Sequence, residues 1–436
     1  VGDSAHNLRY DSAGIQRDKG DCVRIEELIF LRTQDGAALL AHLAEAGPAE
    51  CARPAFIQSL RRDHSIEVVT LALRLAEARR KAPAKFPRGA QLYFTPELLE
   101  QASAHPPAMH RARRFSALGR VLDLGCGGGG DLSRLALAGA SALGMERDPL
   151  ALAIAQANLE TLNLKGDLSL GSFPHDDPPR HDSLFIDPAR REGGRRPGGS
   201  GRAGRRQNIA EFSPSPASLR PLLGRASNWC IKWGPALDLS HEALSGEDGP
   251  LTGLNRGDYE LELVSWKGEL REAAIWGGEL SRAQAVATVL DGEMDRFQVN
   301  RFEGDPELPA PAIRAPGDFI HEPDGSLIRS GLLADFASRE NLFLLAEQIA
   351  YLSSDANPQS PFLRTYKRLE SFPFSLARVQ EALERRNIGN LVLKKRGFPL
   401  APEELRKRLR LEGDGSAVLI IHRSPEGHLA HLCEAS

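Results

Sequence analysis

Three short runs in this chain hold residues whose types and spacing could do chemistry. The first reads Val121-Leu122-Asp123-Leu124-Gly125-Cys126-Gly127-Gly128-Gly129-Gly130-Asp131. Glycine lets backbone approach a ligand where a Cβ would collide, and it tolerates positive φ. A glycine cluster directly behind an apolar run therefore suits a loop that cradles a nucleotide-like cofactor. Spacing alone leaves the ligand open, because Gly125, Gly127 and Gly130 also satisfy a dinucleotide fingerprint. A glycine-rich turn without any ligand is the plain alternative.

Two acids separate these readings. Asp123 stands two residues before the first glycine. A carboxylate beside a pyrophosphate is repelled, but beside the ammonium and sulfonium of S-adenosylmethionine it is favourable. Glu146, 23 residues further on, ends the next apolar run, where its two oxygens can accept both ribose hydroxyls. The expected cofactor is S-adenosylmethionine, contacted by Asp123, Gly125, Cys126, Gly127, Gly129, Glu146 and Arg147. Ser172 is expected to accept from the adenine amino group and Phe173 to lie on the adenine face. Gly171-Ser172-Phe173 departs there from the more common acidic residue.

The second run, Phe185-Ile186-Asp187-Pro188-Ala189-Arg190-Arg191, follows another short apolar stretch. Open α/β sheets place reacting groups at such strand ends. An Asp-Pro pair there has the form of the post-strand-four motif of amino-group methyltransferases, so Asp187 and Pro188 are candidate catalytic residues. Asp187 can accept a hydrogen bond from a target amine, and Arg190 and Arg191 can grip a substrate phosphate or carboxylate. The alternative is a strand terminator beside two solvated arginines. A cysteine nucleophile is disfavoured, because Cys230 lies inside a strand and Lys232-Trp233-Gly234-Pro235 has no thiol.

The third group is basic. Seven Arg and one Glu lie between Ala189 and Gln207, and 14 Lys and Arg against 7 Asp and Glu between Pro358 and Arg423. Lys394, Lys395 and Arg396 follow a strand pattern, and Arg406, Lys407 and Arg408 close a helical one. Together they are candidate RNA-binding residues, with a solvated basic face or a helix-dipole complement as alternatives.

These groups need elements to position them. Strand and helix patterns alternate: strands at 120–124, 142–145, 167–170, 183–186 and 228–233, helices at 131–138, 149–162 and 216–223. Alternation at this spacing means a parallel, doubly wound sheet. Residues 259–265 and 272–276 then read as a hairpin, which gives the antiparallel end of a Rossmann-like, seven-stranded class I methyltransferase sheet. Leucines at turn spacing make 25–88 helical, and Thr95-Pro96 is a capped helix start. Residues 192–206 and 300–316 read as a Gly/Arg insertion and a linker, and a helix is expected at 341–352. Toward the C-terminus the patterns alternate between helices at 376–386 and 402–409 and strands at 390–394, 417–422 and 428–432.

Composition sets outer limits. Across 436 residues the net charge is −3 and the hydrophobic fraction 41%, ordinary for a globular chain with two or three domains. No apolar run approaches the ~20 residues of a spanning helix. The N-terminal residues lack a basic-then-apolar signal pattern, so a cytoplasmic location is expected. Residues 1–24 read as a disordered leader. Five scattered cysteines exclude a Cys-rich zinc site, and no metal or membrane partner is expected.

With these motifs in order, residues 26–433 resemble bacterial class I methyltransferases that carry a ferredoxin-like segment and a THUMP-like C-terminal domain. The markers are Lys85-Phe86, Phe94-Thr95, Glu100-Gln101-Ala102, the run at 122–129, Asp187 to Arg191 and Lys232 to Pro235. Later ones are Gly317 to Asp324, Ile328 to Gly331, Tyr351 to Asp355, Ile388-Gly389 and Leu393 to Gly397. The resemblance implies a methyltransferase domain at 89–295, a ferredoxin-like segment at 312–356 and a THUMP-like domain at 358–433. It also implies an S-adenosylmethionine-dependent enzyme acting on tRNA or rRNA. Rival readings are a protein or small-molecule methyltransferase, or an RNA-binding module with a degenerate cofactor site. The Gly/Arg insertion and Trp233-Gly234 depart from the family pattern.

Overall fold

Leucines spaced by a helical turn build the first layer. In the computed structural model, which describes residues 25–190, 212–247 and 249–435, helices α1 (Ile25–Leu31), α2 (Gln34–Cys51), α3 (Pro54–Leu60) and α4 (Ile66–Lys81) bury Leu28, Leu31, Leu43, Leu71 and Leu75 in one core. The expected leader and the Gly/Arg insertion lie outside the described residues. Thr95 caps α5 (Pro96–Gln101) as expected, its Oγ accepting from Leu98 N at 3.4 Å. Helix α6 (His105–Arg113) follows.

The doubly wound region then runs β1 (Arg120–Leu124), α7 (Gly130–Leu137), β2 (Ser141–Glu146), α8 (Pro149–Thr161), β3 (Asp167–Leu170) and β4 (Ser183–Ile186). A two-stranded ribbon of β5 (Ala189–Arg190) and β6 (Phe212–Ser213) precedes α9 (Pro216–Leu223), β7 (Asn228–Trp233) and α10 (His241–Ser245). Next come β8 (Tyr259–Trp266), β9 (Glu269–Gly278), β10 (Ala285–Gly292) and β11 (Phe297–Gly304). The strand order is β3-β2-β1-β4-β7-β9-β8, with β10 and β11 beyond β8. β9 runs antiparallel to both β7 and β8. The winding reverses between β1 and β4, which opens a crevice at their carboxyl ends.

The seven expected strands form the class I core, and two more extend it to nine. Residues 297–304, half of them expected as linker, pair with β10 along its whole length. The expected boundary at 295 thus falls inside a hairpin. In β11 Phe297 and Val299 face one side and Phe302 the other, and Asn, Arg and Glu lie between them, so composition hides a half-exposed edge strand.

A second sheet holds β12 (Phe319–Pro323), β13 (Phe343–Ala346), β14 (Ile349–Ser354), β15 (Leu363–Pro373), β16 (Ile388–Arg396), β17 (Gly415–Ser424) and β18 (Gly427–Glu434). Its order is β13-β14-β12-β15-β18-β17-β16. Helices α11 (Gly325–Arg329), α12 (Leu333–Arg339), α13 (Leu376–Arg385) and α14 (Pro402–Arg406) flank it. β15 pairs with β12 through its first half and with β18 through its second. The segments expected as ferredoxin-like (312–356) and THUMP-like (358–433) therefore share one continuous sheet.

The helix expected at 341–352 is instead the hairpin β13–β14. Asn341 and Gln348 take φ of 56° and 57°, which no helix interior accommodates. Short apolar runs such as Leu342 to Ala346 do not distinguish a buried strand from a helix by period. Ala285, Ala287 and Val289 of β10 pack with Leu327, Leu332, Phe336 and Leu352, so one apolar core joins the two sheets.

Candidate active site at the carboxyl edge of the first sheet

Paired residues on adjacent strands project their side chains to the same face. Asp123 pairs with Phe185, Phe185 with Cys230, and Cys230 with Trp276. Two residues beyond Phe185 and Cys230 stand Asp187 and Lys232, so Asp123, Asp187 and Lys232 share one face near the strand ends. Glu272 of β9 lies on that face too. Helix α6 covers it, with the Arg111 guanidinium 4.8 Å over the Phe185 ring. Arg111 pairs with Glu272 and with Asp131 on the first turn of α7, and Ser103 Oγ donates to Asp131 at 3.1 Å. Lys232 donates to Asp187.

Carboxylates outnumber cations in this cluster. Asp123, Asp131, Asp187 and Glu272 face Arg111 and Lys232, and Arg134 lies near Asp131. Asp123 is buried and its Oδ2 has no hydrogen-bond partner. Burial, reinforced by the nearby Asp131 and Asp187, pushes its carboxyl well above the usual range. Asp131 is half-buried, which also opposes its charge, but the Arg111 guanidinium and the Lys232 ammonium outweigh that and hold it low. Burial also opposes the charge on Lys232, and Asp187 and Asp131 together more than restore it. A buried carboxylate without a partner is costly unless a cation meets it. The expected cofactor supplies two positive groups, so the donor set fits it.

The loop geometry fits too. Gly125, Gly127 and Gly129 adopt φ of 82°, 52° and 77°, a left-handed backbone that favours glycine. A Cβ at Gly125 would meet nothing within 4 Å, whereas one at Gly128 would strike the Phe94 ring at 2.9 Å. One side of the loop is open and the other is wedged against the segment before α5. Asn158, buried on α8, locks that wedge: it donates to Gly128 O at 2.9 Å and Tyr93 O at 2.7 Å, and accepts from Tyr93 N. Glu146 accepts from Gly127 N at 2.9 Å and from Arg147 N and Asp148 N. It thereby shapes the loop besides facing it. Cys126 is buried and its thiol is pushed well up by burial, consistent with a filler and not a nucleophile.

Ser172 and Phe173 lie in the turn after β3. Gly171 N bonds to Glu146 O at 3.0 Å, which brings the turn beside Glu146. Ser172 N donates to Asp176 Oδ2 at 2.7 Å. An acid is therefore present in this turn after all, folded back from four residues downstream where spacing did not reveal it. Pro188 is buried and Asp187 partly exposed. Arg190 contributes backbone to the β5–β6 ribbon, and Arg191 lies outside the described residues.

The candidate RNA-binding residues do not form one patch. Alternation along β16 puts Lys394 and Arg396 on one face and Lys395 on the other. Lys394 donates to Glu322 at 2.8 Å, and Arg396 lies 4.9 Å over the Tyr351 ring. Lys395 donates to Phe398 O at 3.0 Å and Arg406 to Leu391 O. Lys407 and Arg408 are exposed. Among the described residues no group of His, Cys, Asp and Glu is placed to hold a metal, and no helix is long and apolar enough to cross a membrane.

Sequence reasoning missed the roles of Lys232, Arg111 and Asp131. Lys232 left a signal: a single lysine near the end of an otherwise apolar strand, two residues beyond a buried Cys.

Comparison with known proteins bears on this arrangement. Residues 363–435 match the family described as THUMP domain-like. Proteins from two Mycobacterium tuberculosis strains, CDC 1551 / Oshkosh and ATCC 25618 / H37Rv, are 35% identical over 349 residues, covering 78% of this chain and 87% of each relative. Both are named uncharacterized S-adenosylmethionine-dependent methyltransferases. A crystallised Porphyromonas gingivalis W83 protein, named "putative methyltransferase", shares the fold with a TM-score of 0.71 at 22% identity, over 92% of this chain and 99% of that one.

Proposed function

The chain belongs to the S-adenosylmethionine-dependent methyltransferases that carry a THUMP-like C-terminal domain, and we propose that it methylates an exocyclic amine of a base in cytoplasmic tRNA or rRNA. The observation that carries this is the placement of Asp187, partly exposed at the tip of β4, on the same face as the partnerless Asp123.

Asp123 and Glu146 would hold the cofactor at its cationic and ribose ends, and the open side of the loop at Gly125 would leave it room. When bound, the cofactor supplies a methyl group already activated by the sulfonium. Asp187 then accepts an N–H from the acceptor amine and turns the nitrogen lone pair toward that methyl. Positioning and exclusion of water provide most of the rate. An RNA acceptor is supported by the THUMP-like match at 363–435 and the excess of Lys and Arg between Pro358 and Arg423. Within that region the exposed Lys407 and Arg408 are the candidate phosphate contacts, while Lys394, Lys395, Arg396 and Arg406 already hold internal partners.

The test uses tritiated S-adenosylmethionine with the full chain and extracts of a strain lacking its gene. Label should enter total RNA and survive as an N-methylated nucleoside after digestion. Label confined to protein or to small molecules would overturn the RNA reading.

A further inference from the structure

The Asp187 site has a second half. Lys232 stands one residue before the end of β7 beside Asp187, on the strand next to β4: Ile186 pairs with Ile231, so the two side chains emerge one residue past the same register pair. The Lys232 side chain is 14% exposed and that of Asp187 is 32% exposed, so the pair faces the crevice and is not closed off. An ammonium has three N–H donors. Asp187 Oδ2 takes one and is its only hydrogen-bond acceptor among the described residues. Asp131 and Glu272 lie near enough to favour its charge, but Arg111 holds both of them. Lys85 also lies near, yet its Nζ is spent on the carbonyls of Leu99, Glu100 and Ala102 at 2.7–2.9 Å. Lys232 is therefore the cation in contact with Asp187, and it has donors to spare.

A carboxylate that accepts, beside an ammonium that donates, complements a planar edge that donates and accepts in adjacent positions. We propose that Asp187 and Lys232 together read the acceptor base, Asp187 taking an N–H of the exocyclic amine and Lys232 donating to the unprotonated ring nitrogen next to that amine. Such an edge occurs in cytosine, in adenine and on the minor-groove side of guanine. A C5 carbon and a sugar hydroxyl lack it. This rests on the base-amine reading of the site and deepens it by assigning the residue that recognises the ring nitrogen.

In the step, the amine lone pair forms the N–CH3 bond while the CH3–S bond breaks and its electron pair stays on sulfur. One N–H proton leaves through Asp187 to water. Lys232 neither gains nor loses a proton. It keeps Asp187 anionic and fixes the base in plane, which makes it a specificity residue.

Lys232→Met and Lys232→Arg separate this role from a structural one. S-adenosylmethionine binding by calorimetry serves as the control for fold and cofactor site, and tritium transfer is measured in RNA, protein and small-molecule fractions. Loss of one charged hydrogen bond to the base should lower kcat/KM of Lys232→Met by roughly 30- to 100-fold, with cofactor affinity within about threefold of wild type, and Lys232→Arg should recover much of the loss. If the Met variant does not fold, Lys232→Gln takes its place. Wild-type transfer rates in the variant, or cofactor affinity falling in step with activity, would overturn the proposal, as would a wild-type product methylated on carbon or on a hydroxyl. Label in protein alone would overturn the RNA reading and the base recognition together, whereas an N-methylated nucleoside made equally well by Lys232→Met would overturn only the role of Lys232, so the two failures are distinguishable. Absence of label from every fraction would overturn both.

Discussion

Asp123 is the residue on which cofactor binding turns, and its state is unusual. A carboxyl buried without a partner is protonated more readily in the folded chain than in the unfolded one. The folded chain thus binds more protons, so this group lowers stability as pH rises above its ordinary value of about 3.9. Asp123→Asn should therefore stabilise the cofactor-free protein at pH 7, raising Tm by roughly 2 °C, while weakening S-adenosylmethionine binding. Thermal unfolding with and without cofactor checks both halves. An unchanged or lowered Tm without cofactor would show that Asp123 carries no such penalty. Most of this site was legible in the sequence, because Asp123, the glycines and Glu146 are local to strand ends. Lys232 and Arg111 were less so: their meaning comes from neighbours about 45 and 160 residues away that only the strand register and the packing of α6 bring close.

At the scale of elements, the loop after β7 shows how the second sheet supports the first. Arg329, on the last turn of α11, donates to Pro235 O at 3.0 Å and to Leu237 O at 2.7 Å. It holds in place the loop that follows Lys232. Arg329→Ala should lower methyl transfer roughly 10-fold, since sub-ångström misplacement near a reacting centre is costly, and leave cofactor affinity unchanged. Equal losses in both would point to general unfolding. The alternating region was legible because its helices and strands have distinct periods and capped starts, as at Thr95 and Asp148, whose side chain accepts from Leu150 N and Ala151 N. The stretch at 341–352 was not. Its strands are short and buried, and the left-handed turn at Gln348 is invisible to hydrophobic period.

At the scale of the molecule, one core joins a methyltransferase sheet to a second sheet that ends in the THUMP-like region. Charge counts suggested a basic C-terminal face, but the excess is partly neutralised internally: Glu322 holds Lys394, and Glu370 holds Arg385 and Arg386. Lys407→Glu with Arg408→Glu should weaken RNA binding and flatten its salt dependence by about two charges, measured by filter binding across a salt series. The pair Lys394→Ala and Arg396→Ala should change the salt slope little and lower stability instead. The reverse pattern would place the RNA face on β16.

The proposed acceptor site and RNA face both depend on the proposed contact between the cofactor and Asp123, and that contact can be tested directly. S-adenosylmethionine is titrated calorimetrically into the full chain at pH 6, in two buffers of different ionisation heat. A cation arriving beside Asp123 should expel its proton, so wild type should bind with proton release and with affinity that rises with pH. Asp123→Asn should bind at least roughly 10-fold more weakly and release no proton. Binding of equal strength with equal proton release in the variant, or no binding by wild type, would contradict the account.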